Sequence, residues 1–329
     1  MRIAWIDLLR GFCMMAILWF HSEMYYAGSD IIPYECYVGD VLAVFFFLSG
    51  YLLFTDKTFH LKRKIRSLVR YLVVPYFLFT SLIAWPKAIA HGNDSSLEQL
   101  FLNVVSGQAS WFVPALIVAQ AAFILMLATK KSSKTLIPIA AIACLLCSAI
   151  IGNNYQPTSL HYKQNLWHVN EAMLGFFIMY MGYLYRRHEG AFQRLYAHNS
   201  AYVLYMCVLA AITIVLKIVA IGNAEKLIFG PIIVSNYALF TADLIAATLL
   251  LVGLFQRLPR CAIMEWTGAH SLVYYFLCGG VPFVVSSVLR SLSLPYTGIL
   301  SMMLCFVIVY AAATLLTWLI YRYTPIMRK

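Results

Sequence analysis

Asp7, Arg10 and His21 are ionisable residues inside the first apolar stretch of the chain. A charge within a bilayer is costly, so such residues mark a reaction centre or a pathway, or pair with one another. Arg10 and His21 are 11 residues apart, close to three helical turns, which puts them on one face about 16 Å apart along the axis. Asp7 lies one turn before Arg10 on nearly the same face. A neutral imidazole is a proton acceptor near physiological pH, and a guanidinium is a fork for carboxylate or phosphate oxygens. The same residues also fit a plainer arrangement, an Asp7–Arg10 pair at the inner interface with His21 as an ordinary interfacial residue.

A second cationic feature is the run from Lys57 to Arg70, and within it Arg63-x-x-Arg66. Two arginines at that spacing suit phosphate oxygens; they also suit anionic lipid headgroups or a simple topology signal. His168 and Glu171, one turn apart, read as a helix cap or as solvated residues, or else as the lining of a pocket. Cys36 falls in a loop expected outside with no disulfide partner in view. Cys144-x-x-Cys147 lies in an apolar run and reads as buried helix rather than as a redox or metal motif. No His–Cys cluster has zinc spacing, and no metal is expected.

The elements that must position these residues are set by composition. Of the 329 residues 62% are hydrophobic and 11% charged, with a mean hydropathy of +0.79, whereas a soluble domain is about half apolar and about a quarter charged. Apolar runs long enough to span a bilayer fall near 3–23, 38–56, 71–90, 111–129, 135–152, 169–187, 201–221, 234–256, 265–289 and 297–321. The expected fold is all-α: a polytopic membrane protein with about ten transmembrane helices and both termini cytoplasmic. It is read as one transmembrane domain over 1–329, because no polar linker divides it, and the first helix is expected to be retained.

Loop charges support that count. The segments assigned inside hold Arg2, Lys57, Lys62, Arg63, Lys64, Arg66, Arg70, Lys130, Lys131, Lys134, Arg186, Arg187, Arg194, Arg257, Arg260, Arg322, Arg328 and Lys329; those outside hold Lys87, Lys163, Lys226 and Arg290. A ratio of 18 to 4 is a strong positive-inside bias, and one helix more or fewer would spoil it. It also accounts for the net charge of +11 without nucleic acid. Residues 57–70 are expected as an interfacial helix on the inner face, and residues 95–107 as another on the outer face. Asn93-Asp94-Ser95 is a formal glycosylation sequon in an outer loop.

Several stretches resemble the acyltransferase 3 family of membrane-bound O-acyltransferases. Ile6-Asp7-Leu8-Leu9-Arg10-Gly11 with the apolar run to His21 is similar to the family's opening, and Phe45-Phe46-Phe47-Leu48-Ser49-Gly50-Tyr51 to its second-helix motif. Arg63-x-x-Arg66 before Pro75-Tyr76, Trp111-Phe112, and Gly268-x-x-Ser271-x-x-Tyr274 complete the likeness, in register over nearly the whole chain. One departure is that the late histidine of many members is missing from Phe276-Leu277-Cys278-Gly279-Gly280, so no catalytic role transfers there. The soluble hydrolase-like domain of some longer members is also not found in this sequence.

The resemblance implies transfer of an acyl group, commonly acetyl, from cytoplasmic acyl-CoA to a hydroxyl of a cell-surface or lipid-linked glycan. The site residues it implies are His21 as general base, with an acyl-histidine intermediate as the other possibility, and Arg10, Arg63 and Arg66 for the donor. Asp7, Ser49, Trp111, Ser271 and Tyr274 are expected at the substrates. Acyl-CoA enters as a substrate, with no permanently bound cofactor. The expected setting is a plasma membrane, most simply a bacterial inner membrane, with lipids as partners and room for a homo-oligomer. A polysaccharide exporter or flippase, and a structural subunit of a biosynthetic complex, are the competing readings.

Overall fold

The computed structural model describes residues 3–55, 58–90, 96–129, 135–153 and 165–324. Of the residues named above, Arg2, Lys57, Lys130, Lys131, Lys134, Lys163, Arg328, Lys329 and the sequon at Asn93–Ser95 lie outside these ranges. The described chain is helical apart from a small hairpin, β1 (Leu227–Ile228) paired antiparallel with β2 (Ile233–Val234). Helices satisfy every backbone amide internally, which a sequence this apolar needs in lipid.

A helix occupies each of the ten stretches picked out by hydropathy. Five helices are long and apolar enough to cross a membrane, or six if a bent pair counts as one crossing. These are α1 (Ala4–Ser22, prolonged by a π-helical turn to Ala27), the helix from Leu61 to Pro86, α10 (Asn199–Gly222), α11 (Tyr237–Phe255) and α15 (Ile299–Tyr323). The bent pair is α13 (Ser271–Leu277) with α14 (Gly280–Ser291), angled by 48°. The remaining stretches are shorter or more polar. Helix α2 (Val38–Leu53) has 16 residues, about 24 Å of rise; α6 (Phe112–Ala128) has 17; α7 (Leu136–Asn153) is also short of a full span in its apolar part. Helix α8 (Val169–Arg187) carries Glu171 near its start and Arg186 and Arg187 at its end.

One expectation changes. The basic run is not a separate interfacial helix. It forms α3 (Leu61–Leu68), which continues through a π-helical turn at Val69–Val73 into α4 (Val74–Ala90). The reason is Pro75: it lacks an N–H and would crowd the carbonyl one turn earlier. A wide turn placed just before it absorbs the misfit without breaking the helix. The second amphipathic stretch does form a short separate helix, α5 (Leu97–Val105), capped by the Ser96 hydroxyl, which accepts from the Gln99 amide. The other elements are α9 (Glu189–Ala197) and α12 (Ala262–Ala269).

The chain divides into two compact units, Met1–Val44 with Thr248–Lys329, and Phe45–Ala247. In the first, α1 packs most closely against α12. Gly11 and Gly268 make this approach: a Cβ at Gly11 would lie 2.0 Å from the Met264 carbonyl oxygen, and one at Gly268 1.8 Å from that of Asp7. At the far end of α1, Arg290 of α14 donates to the Tyr25 and Tyr26 carbonyls, so α12 to α14 run alongside α1 in the same direction. In the second unit, α8 is the centre, with α6 and α7 packed on it. Its Gly182 would place a Cβ 1.9 Å from the Phe47 carbonyl oxygen, and Gly50 would place one 1.8 Å from that of Met179. Also in this unit, Lys217 of α10 donates to Asp243 of α11 at 2.8 Å, with 16% and 4% of the two side chains exposed.

Two sets of substitutions test this packing. Gly50→Ala should lower thermal stability in detergent by about 1–3 kcal/mol, since the backbones must part. Gly190→Ala should be neutral or stabilising, because nothing lies within 4 Å of its Cβ position and alanine favours the helix. Lys217→Ala leaves Asp243 buried without its cation and should destabilise by about 3–5 kcal/mol, with Lys217→Met/Asp243→Leu recovering much of the loss.

Candidate active site

His21 stands in the last turn of α1, half-buried, with its ring stacked 6.4 Å from that of Tyr25 and edge-on to Phe20 at 5.5 Å. Directly after it the helix widens into the π-helical turn Glu23–Ala27, closed by Gly28 at φ +82°. Such turns recur at functional sites because they re-aim side chains at the end of a rigid helix. Here the turn brings Tyr25 under the imidazole and against Phe283 of α14 at 5.6 Å. Arg290 anchors the turn through its carbonyls.

Arg10 is half-buried near the other end of the same helix, beside the Gly11 crossing. Among the described residues no direct ion pair joins it to Asp7, although the Asp7 charge acts on it through space. The face between Arg10 and His21 is not polar: Met14, Ile17 and Leu18 are all buried. The two residues are therefore separate stations on one helix rather than a continuous polar stripe.

The late motif joins this unit through packing. Gly268 is the crossing glycine. Tyr274 is fully buried, its hydroxyl 2.7 Å from Thr314 and its ring stacked on Tyr310, whose own hydroxyl is 2.6 Å from Thr267. Ser271 is half-buried at the start of α13. Where many relatives of the resemblance carry a late histidine, buried Cys278 ends α13 at the bend.

The second unit holds the other residues. Arg63 and Arg66 are exposed on α3, and Lys64 between them reaches back to the Leu52 carbonyl at 3.4 Å. Ser49 donates to the Phe45 carbonyl of its own helix at 2.8 Å. Tyr51, which closes the same motif, is buried; its hydroxyl donates to Glu189 and accepts from Arg186, each at 2.6 Å, and the guanidinium lies 4.9 Å above its ring. Trp111 is half-buried at the start of α6, its ring filling the space over Gly230 and edge-on to Phe229 at 5.9 Å.

Neither the cap nor the solvated reading of His168 and Glu171 holds, and two other residues were not expected from the sequence. His168 and Glu171 are neither solvated nor a cap: they are 0% and 1% exposed, and no side-chain cap bond starts α8. Glu171 accepts from Asn165 at 2.6 Å and from the Ile232 amide at 3.3 Å, so it holds the β1–β2 hairpin. Trp167 and His168 both have left-handed backbones, φ 52° and 53°, a conformation costly for such residues. The overlooked residues are Glu23, fully buried just past His21, and His270. The latter is hydrogen-bonded through Nδ1 to the Trp266 carbonyl at 2.6 Å, with ring contacts to Trp266 and Tyr321. An acid at the end of a span reads as interfacial, and His270 sat among the variable positions of its motif.

A family model described as an acyltransferase domain matches residues 3–322, nearly the full chain. The chain belongs to the acyltransferase 3 family. It is a helical membrane protein of a family of acyltransferases. Comparison with curated proteins and with solved structures finds no match. Within the family motifs, Gly11, Gly50, Gly268, Tyr51 and Tyr274 serve in packing, whereas Arg63 and Arg66 are exposed and Arg10 and His21 half-buried.

Tyr51→Phe tests that division. It removes the hydroxyl shared by Arg186 and Glu189, and should cost about 1–2 kcal/mol of stability while the Arg186–Glu189 pair persists. Unfolding in detergent, compared with wild type, measures it.

Proposed function

We propose that this protein transfers an acyl group, most simply acetyl, from cytoplasmic acyl-CoA to a hydroxyl of a cell-surface or lipid-linked glycan. The proposed setting is a plasma membrane, with ten spans and both termini cytoplasmic; the loop-charge bias supports that topology, and it makes Arg63 and Arg66 cytoplasmic. The observation that carries the reading is the membership of the family, supported by a half-buried imidazole at a π-helical turn on the same helix as a half-buried arginine.

In this reading Arg63 and Arg66 bind donor phosphates by charge-assisted hydrogen bonds, and Arg10 holds the donor further along its length, with Asp7 tuning the local charge. His21 accepts the proton of the acceptor hydroxyl as its oxygen attacks the thioester carbonyl. The C–S bond then breaks, and the proton passes to the departing thiolate, giving an ester and free CoA. Ser271 and Trp111, both half-buried, are proposed to touch substrate. Ser49 and Tyr274 are proposed to support the site from within the packing.

The test is transfer of labelled acetyl from acetyl-CoA by purified protein, alongside CoA release. His21→Ala should lower the rate about 100-fold or more, the range for loss of a general base. Arg66→Ala should raise KM for acetyl-CoA about ten-fold with kcat little changed, the signature of a lost ground-state contact. Full transfer by His21→Ala would remove the assignment of the base.

A further inference from the structure

The bent pair has a break with a visible cause. Helix α13 ends at Leu277 and α14 starts at Gly280, with 48° between them. Pro282 lacks the N–H that the Cys278 carbonyl would receive, and its ring crowds that carbonyl. The proline explains the bend but not the two glycines before it. Elsewhere in this unit Gly11 and Gly268 are required because a Cβ would strike a neighbouring backbone, and Gly28 and Gly298 because φ is positive. Gly279 and Gly280 meet neither condition. Among the described residues nothing lies within 4 Å of either Cβ position, and Gly279 has right-handed helical angles, φ −88° and ψ −44°. Two adjacent glycines at a break, needed neither for packing nor for the observed conformation, offer low resistance to rotation.

The far end of α14 is fastened to the helix that carries the proposed base. Arg290 donates to the Tyr25 carbonyl and, at 3.1 Å, to that of Tyr26. Carbonyls in the last turn of a helix lack donors from the helix itself, and a cation there is favourable. The guanidinium is also exposed, so water competes for these bonds and they can be exchanged. Phe283, near the start of α14, lies edge-on to Tyr25 at 5.6 Å, and Tyr25 is stacked against His21. Helix α14 therefore has a pivot at one end and a polar fastening at the other. The residues that fasten it are also those that set Tyr25 on the imidazole.

We propose that α14 is a hinged arm over the base, which swings about Gly279–Gly280 and is latched closed by Arg290 on the π-helical turn. Closed, the arm holds Phe283 against Tyr25 and Tyr25 against His21, so Arg290 is a positioning residue that acts on the base through Tyr25. Open, it uncovers the His21 end of α1, where the acceptor enters and its ester leaves. This rests on the acyl-transfer reading and supplies the gating of its acceptor site.

Cys278, a buried thiol beside the pivot, reports the open arm. Its alkylation by N-ethylmaleimide, in the full-length protein in detergent, is read by mass spectrometry of its own peptide, alongside acetyl transfer and the thermal midpoint. Arg290→Ala should speed alkylation about ten-fold, as loss of charge-assisted hydrogen bonds does, and lower kcat with KM for acetyl-CoA unchanged. Arg290→Lys should recover part of both. Gly279→Ala/Gly280→Ala should slow alkylation about ten-fold, because alanine keeps helical angles better than glycine, and lower kcat without lowering the thermal midpoint. Alkylation at one rate in wild type, Arg290→Ala and the double variant would overturn the arm. So would a fall in the thermal midpoint of the double variant that accounts for its lost activity. Failure of wild type to transfer acetyl would instead count against the acyl-transfer reading, while the alkylation rates would still test the arm.

Discussion

In lipid, helices gain nothing from hiding apolar side chains from one another, so contact depends on how closely their backbones approach. Each unit of this protein has one such approach made by a pair of glycines: Gly11 with Gly268, and Gly50 with Gly182. In each pair the hydrogen of one glycine faces a carbonyl of the other helix one turn earlier, a geometry that weak Cα–H···O contacts favour and that any side chain would block. Three of the four glycines belong to the stretches by which the chain resembles its family. The motif residues beside them are consequently fixed in place. Arg10 is set by the first crossing, and Tyr51 by the second, where Arg186 and Glu189 then close around it.

A rigid helix also imposes a distance. Arg10 and His21 are separated by about 16 Å, and the buried Met14, Ile17 and Leu18 between them leave no polar relay. A reaction that uses both must therefore employ a donor long enough to reach from one to the other. A thioester on an extended pantetheine arm has that property, and a compact donor does not. The π-helical turn adds a second consequence. It follows His21 directly and stacks Tyr25 against the imidazole, so the ring is oriented by a neighbour while the helix itself stays regular up to Ser22.

Much of this was legible in the residues. Hydropathy located a helix in every stretch it picked out, because long apolar runs have few alternatives in lipid. The chemistry-bearing side chains of α1 were legible for the same reason: Asp7, Arg10 and His21 interrupt an apolar pattern. What hydropathy could not supply was continuity. The six basic residues between Lys57 and Arg70 read as a separate interfacial helix, and only the π-helical turn before Pro75 joins them to the next span. Nor could it supply partners distant in sequence. Glu171 and Ile232, or Tyr274 and Thr314, meet only through tertiary packing. Glu23 escaped notice because its burial comes from the loop folded over it rather than from the helix that carries it.

The central claim is two-sided: a donor held by cations at one membrane face, and a base acting toward the other. Sealed vesicles of defined orientation, given acetyl-CoA labelled in the acetyl group at the cytoplasmic face alone, test it directly. The account predicts label esterified to glycan on the opposite side, with CoA released where the donor was added, and neither from vesicles carrying His21→Ala. Label that crosses only as intact donor, or glycan that is moved across without cleavage of the thioester, would contradict it.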